Sequence, residues 1–96
     1  MVKTWWVYII RTDTAQLYTG ITTDIQRRWQ EHLTGKGGAR YFRAHKPQQL
    51  CFLEEHSDRS SASKREAAIK KLAKSEKELL VKSHFLPADF SLTNDR

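Results

Sequence analysis

Trp5-Trp6-Val7-Tyr8-Ile9-Ile10, then Leu17-Tyr18-Thr19-Gly20-Ile21, then Thr23-Asp24-Ile25-Gln26-Arg27-Arg28-Trp29 are the three stretches that decide the fold. The first is an unbroken aromatic and β-branched run, the pattern of a strand covered on both faces. Thr12-Asp13-Thr14-Ala15 is polar and turn-forming, and strand character resumes at Gln16. So short a gap predicts a β-hairpin. Tyr8 and Tyr18 have the same parity, so they share a sheet face if the hairpin pairs residues of like parity, as a turn centred on Asp13 would. Gly20 then joins that face and leaves open space beside Tyr18.

Thr23 and Gln26 have the spacing of a capping box, which predicts a helix opening at Asp24 and ending near Thr34, with Gly35 beyond it. A loop rich in glycine and basic residues follows, with room for one helical turn over residues 39–44. Leu50 to Glu55 reads as a third strand introduced by Pro47. Asp58 or Ser60 caps a second helix running to about Ala73. Ser75 and Glu78 form a further capping box, opening a third helix that runs to about Phe85 and is stopped by Pro87. The order is β-β-α-β-α-α: an α+β fold with a small three-stranded antiparallel sheet flanked by helices. Residues 1–86 form one domain and residues 87–96 a loose polar tail.

Helical phase separates ordinary residues from unusual ones. At about 100° per residue, Ile25, Trp29 and Leu33 form the buried stripe of the first helix. Gln26, Arg27, Gln30 and Glu31 fall on the solvated side. Arg28 and His32 lie one turn apart on the margin of the sheet-facing stripe, so both can reach the same point. The ordinary alternatives are a snorkelling arginine and a histidine at the helix end interacting with its dipole. In the second helix, Ala62, Ile69 and Ala73 define the inward face, and Glu66 falls within about 40° of its centre. A carboxylate there is buried and costly unless a cation meets it. The competing role is the third position of a Ser63-x-x-Glu66 capping box.

The chain has 96 residues, which leaves room for one small core. Seventeen Lys and Arg oppose eleven Asp and Glu, giving a net charge of +6 and a pI near 9.7. Such a field attracts polyanions, phosphate backbones among them. Lys36, Arg40, Arg43 and Lys46, interleaved with glycines and Tyr41, suit phosphate contacts, and Lys70 extends the basic surface along the second helix. The alternative is a merely solvated loop. Cys51, the single cysteine, lies in an apolar run and is expected to be a core thiol, without a disulfide or zinc cluster. The longest apolar stretch, Trp5 to Ile10, is far shorter than a membrane span, and there is no signal-peptide pattern, so a cytoplasmic location and no membrane partner are expected.

Val7-Tyr8-Ile9, Tyr18-Thr19-Gly20, Arg28 and Glu66 together resemble the GIY-YIG endonuclease superfamily. More narrowly, they resemble its small stand-alone bacterial YhbQ-like members, relatives of the UvrC N-terminal nuclease domain. The resemblance spans about residues 4–85. It implies a phosphodiesterase site using one divalent cation, Mg²⁺ or Mn²⁺, held by Glu66. It implies Tyr18 as general base or orienter of the nucleophile, supported by Tyr8. Arg28 would clamp the phosphate, and His32 would assist proton transfer or contact the phosphate. A phenol, with an ordinary pKa of about 10, serves as a base only if a nearby cation lowers it. Two positions depart from the pattern. Ile21 stands where many members carry a polar residue, and no family asparagine follows the glutamate helix in residues 72–86. The expected function is metal-dependent cleavage of DNA, with RNA as a second candidate substrate, in repair or recombination. A nucleic-acid-binding module that cuts weakly or not at all is the alternative, and a protein-interaction domain with a basic surface is a third. The sequence does not specify an oligomeric state.

Overall fold

The computed structural model of the chain describes residues 3–37 and 39–84. Three antiparallel strands, β1 (Trp5–Thr12), β2 (Leu17–Thr22) and β3 (Pro47–His56), form one sheet in the order β2-β1-β3. Helix α1 (Ile25–Thr34) follows β2, and a 3₁₀ turn (Arg40–Arg43) lies in the connection to β3. Helices α2 (Arg59–Lys70) and α3 (Lys74–Lys82) complete the order β-β-α-β-α-α. The expected tail, and Phe85 and Pro87, lie outside the described residues.

Strand β1 is central and therefore apolar on both sides. Tyr8 and Ile10 pack with Ile25, Trp29, Phe42, Leu50 and Leu53 on the α1 side. Val7 and Ile9 pack with Phe52, Ala62 and Ile69 on the α2 side. Strand β3 serves both layers through a bulge: Ile9 faces Phe52 but Ile10 faces Leu50, so Cys51 has no register partner. This extra residue puts Leu50 and Leu53 on one face despite their opposite parity. Cys51 is consequently half-buried, not the core thiol expected from its apolar neighbours.

The hairpin pairs Tyr8 with Gly20 and Ile10 with Tyr18. Like-parity pairing is as expected, but the turn is centred on Thr14 and not on Asp13. Helix α1 starts one residue later than the Thr23 capping box implies. Asp24 is the N-cap, and its carboxylate accepts from the Arg27 N–H at 3.1 Å. Gly35 ends the helix with φ 80°, the left-handed geometry that glycine tolerates.

Helix α2 is capped by Asp58, which accepts from the Ser61 N–H at 2.8 Å, and it is shorter than predicted. Ala73 is exposed and precedes α3, where its N–H donates to Glu76 at 2.8 Å. Glu78 does not cap α3 as expected. It takes a two-pronged hydrogen bond from Arg11, at 2.8 and 3.0 Å, that ties α3 to β1. At the other end of the sheet, Glu54 accepts from His56 Nε2 at 2.8 Å and Arg65 Nε at 3.0 Å, joining β3 to α2.

Candidate functional site

The register of the hairpin builds the centre of the site. Tyr8 stands opposite Gly20, and its phenol folds across that glycine. A Cβ placed on Gly20 would lie 2.5 Å from Tyr8 Oη and 2.6 Å from Cζ, closer than such atoms approach without displacement. The space expected beside Tyr18 is therefore filled by Tyr8. Tyr18 is half-buried, with its ring centroid 6.3 Å from that of Tyr8.

His32 closes the constellation from α1. It is buried, whereas Leu33, expected in the stripe, is only half-buried. Packing against Phe42, at 4.3 Å between ring centroids, draws the imidazole inward. Its Nδ1 accepts from the Ala39 N–H at 3.2 Å, and its Nε2 lies 2.9 Å from Tyr8 Oη. Burial, reinforced by the charge of Arg28, lowers the His32 pKa to about 4. The ring is therefore neutral at neutral pH. With Nδ1 accepting, the single ring proton sits on Nε2 and is donated to Tyr8 Oη. The Tyr8 hydroxyl is then free to donate its own proton outward.

Two charges from opposite layers act on this phenol. Burial is the main cause raising the Tyr8 pKa well above its ordinary value. The Arg28 guanidinium opposes that rise, while Tyr18 and the Glu66 carboxylate add to it. Arg28 comes from α1 and Glu66 from α2, which pack on different faces of the sheet. Arg28 is half-buried and held by Glu31 at 3.0 Å and by the Gly37 carbonyl at 2.9 Å. Glu31 is not a purely solvated residue, as its phase suggested, but the anchor of Arg28.

Glu66 differs from expectation in one respect. Its side chain is 22% exposed and paired with Lys70 at 3.1 Å. The inward stripe of α2 contains only Ala62 and Ile69 as buried residues. A residue about 40° away therefore falls on the margin of so narrow a stripe, not within it. Lys70, expected at a nucleic-acid backbone, lies in this ion pair instead of standing free. Lys36, Arg40, Arg43 and Lys46 are exposed and have no ion-pair partner among the described residues.

The donor chemistry fits a hard divalent cation. Mg²⁺ commonly binds through one or two carboxylates and fills its shell with water and phosphate oxygens. The half-buried Glu66 is a carboxylate of the kind that could serve. Among the described residues, no three His, Cys, Asp or Glu side chains gather into an all-protein cage. A cation here would be held by Glu66 and by its substrate, once Lys70 swings aside.

Several contributors escape sequence reasoning. Phe42 lies 4.3 Å from His32 and 4.7 Å from Tyr18 between ring centroids, and Ala39 fixes the imidazole tautomer through its backbone. Nothing in an isolated Ala39-Arg40-Tyr41-Phe42 specifies either contact. Tyr41 stacks on His45 at 4.6 Å, and His45 Nδ1 lies 2.8 Å from the Thr14 hydroxyl, tying the basic loop to the hairpin turn. The position of Glu31 three residues after Arg28 is the one legible signal among them.

The model of the GIY-YIG catalytic domain matches residues 4–79 of the chain. UPF0213 protein DP2720 of Desulfotalea psychrophila is 51% identical over 79 residues, covering 82% of this chain and 72% of the relative. UPF0213 protein YhbQ of Escherichia coli O8 is 47% identical over 77 residues, covering 80% and 76%. The solution NMR structure of UPF0213 protein BH0048 from Bacillus halodurans superimposes with a TM-score of 0.54 at 35% identity, covering 82% of this chain and 83% of that one. Among the described residues, no helix is long and apolar enough to cross a membrane.

Proposed function

From the premise that the chain belongs to the GIY-YIG family, we propose that it is a divalent-metal-dependent endonuclease that hydrolyses phosphodiester bonds in DNA. The observation that carries this reading is the buried Tyr8 phenol held by His32 at 2.9 Å, with Tyr18 beside it and the Arg28 guanidinium acting on it. In this reading a phosphate meets the Arg28 guanidinium on one side and a cation held by the Glu66 carboxylate on the other.

Each residue has a role that follows from its surroundings. Arg28, pre-oriented by Glu31 and Gly37, clamps a non-bridging phosphate oxygen. Glu66 would hold the cation, Mg²⁺ or Mn²⁺, which would supply charge neutralisation at the phosphate and a more acidic water. Tyr8 remains protonated, because burial disfavours its phenolate, and donates its hydroxyl toward the reacting group. Tyr18, the less buried phenol, orients the attacking water. His32 is a positioning residue. Its Nε2–H fixes the direction of the Tyr8 hydroxyl. Lys36, Arg40, Arg43 and Lys46 contact flanking phosphates, and Lys70 would do so when released from Glu66. The reading assigns the protein to the cytoplasm and to DNA repair or recombination.

The Glu66–Lys70 ion pair favours one rival. If Lys70 holds the carboxylate permanently, the domain binds nucleic acid without cutting it. A panel of branched, nicked, single-stranded and duplex DNA, with RNA counterparts, decides between them. Cleavage requiring Mg²⁺ or Mn²⁺ is the expected result. Salt-dependent binding with no cleavage of any substrate would establish the binding module instead.

A further inference from the structure

Next to the Tyr8 centre, sharing Arg28 with it, a cleft of about 400 Å³ runs around the β2 edge. That volume lies within the range of small-ligand sites, roughly 300–1,000 Å³. Its walls include Trp5, Thr22, Arg27, Arg28 and Arg59, drawn from β1, β2, α1 and α2. Three guanidiniums face a single carboxylate, Glu31, which engages Arg28 at 3.0 Å and Arg27 at 3.9 Å. Arg59 has no ion-pair partner among the described residues. Its guanidinium lies 5.7 Å from the centroid of the Trp5 ring, over the indole.

An indole, an arginine above it and two further arginines beside it supply what one nucleotide requires: a stacking surface for the base and cations for its phosphates. We propose that this cleft seats an unpaired nucleotide adjacent to the phosphate bound at Arg28. The base packs on Trp5 beneath Arg59, whose exposed side chain lifts from its place over the ring to admit it, and the neighbouring phosphate lies against Arg27. A base within a duplex is already stacked on both sides and would have to be extracted at a cost of a few kcal/mol. A base in a single-stranded end, flap or gap is free to stack, and aromatic platforms of this kind accept it with little regard to sequence. The inference rests on the nuclease reading and specifies its substrate class: nucleic acid with a single-stranded segment beside the cut.

The test measures binding in EDTA, where no cleavage occurs. Fluorescence anisotropy compares a blunt DNA duplex with the same duplex carrying single-stranded extensions, using wild type, Arg59→Gln, Trp5→Leu and Trp5→Phe. Wild type is expected to bind the extended duplex at least about fivefold tighter than the blunt one. Arg59→Gln and Trp5→Leu should each weaken binding to the extended duplex roughly tenfold, the scale of losing one stacked base, and leave the blunt duplex within about twofold. Trp5→Phe should retain most of the preference. Equal binding of the two duplexes by wild type, or equal weakening of both by Arg59→Gln, overturns the proposal. Arg59 is exposed, so its variant decides the matter even if Trp5→Leu does not fold. The two readings fail separately. Selective binding without cleavage of the extended duplex in Mg²⁺ or Mn²⁺ sinks the nuclease and keeps the cleft. Cleavage with no binding preference does the reverse.

Discussion

The two faces of the sheet are built by different rules. On the α2 side, Val7, Ile9, Phe52, Ala62 and Ile69 form an apolar layer with no ionisable group among its buried members. On the α1 side, the layer formed by Tyr8, Ile10, Trp29 and Phe42 admits the buried His32. Both faces hold the same central strand in place, but His32 gives the α1 face a buried titratable side chain that the α2 layer does not have among its described residues. The α2 face supplies most of its stability by burial alone. The α1 face gives up some of that simplicity to hold a phenol and an imidazole in one orientation.

Truncating the apolar layer of the α2 face should have the largest effect on folding. Ile69 is fully buried, so Ile69→Ala should cost about 2–5 kcal/mol, the usual range for such a cavity. The remaining folded protein should keep its nucleic-acid affinity. Urea melts and binding isotherms on the same samples check both parts. A large loss of affinity per folded molecule would show that the two faces are not separable.

Acid should act on the other face. The folded-state pKa of His32 is depressed to about 4 from an ordinary value of 6.5. Between these values the unfolded chain binds a proton that the folded chain refuses. The resulting stability is fully present above pH 6.5 and is lost as pH falls toward 4, by roughly 3 kcal/mol for a shift of this size. Melts across this window should show that loss in the wild type and a flatter profile in His32→Gln. Parallel profiles would mean that His32 is not the group responsible.

Gly20→Ala probes the same face sterically. The new Cβ would fall on the Tyr8 phenol, and that ring is buried and bonded to His32, so it has little freedom to yield. A loss of about 1–3 kcal/mol is expected, typical of an overpacked site. A change in the chemical shifts of His32 should accompany it. Unchanged imidazole shifts would show that Tyr8 can move without disturbing its partner.

The smallest effect returns to the α2 side. Thr19 pairs with Ile9 in the sheet, and its hydroxyl is buried with no hydrogen-bond partner among the described residues. Thr19→Val replaces an unsatisfied polar atom by a methyl group of similar shape, so thermal melts should show it neutral or stabilised by up to about 1 kcal/mol. A clear loss of stability would reveal a polar role for Thr19.

Much of this contrast can be read from the chain. The unbroken run from Trp5 to Ile10 required cover on both faces. Arg28 and His32 departed from the helical pattern toward the sheet, and the structure brings both to Tyr8. The parts that could not be read depend on geometry between elements. A bulge at Cys51 breaks the parity rule, so neither Cys51 nor the split of Leu50 from Phe52 follows from alternation. Glu66 was visible as an anomaly, and its pairing with Lys70 follows the i,i+4 spacing, but its exposure depends on how far α2 is rotated on the sheet. Glu78 had the spacing of a cap, yet Arg11 across the fold was the stronger partner. The cleft at Trp5 joins residues from four elements, and no local pattern marks it.

The most direct measurement of the central claim is nicking of supercoiled plasmid in Mg²⁺ or Mn²⁺ by wild type and Glu66→Ala, with circular dichroism and DNA binding recorded alongside. The account predicts that Glu66→Ala loses metal-dependent nicking by at least about a hundredfold, the loss expected when a metal-holding carboxylate is removed, while folding and DNA affinity stay near wild type. Undiminished nicking by Glu66→Ala would contradict it.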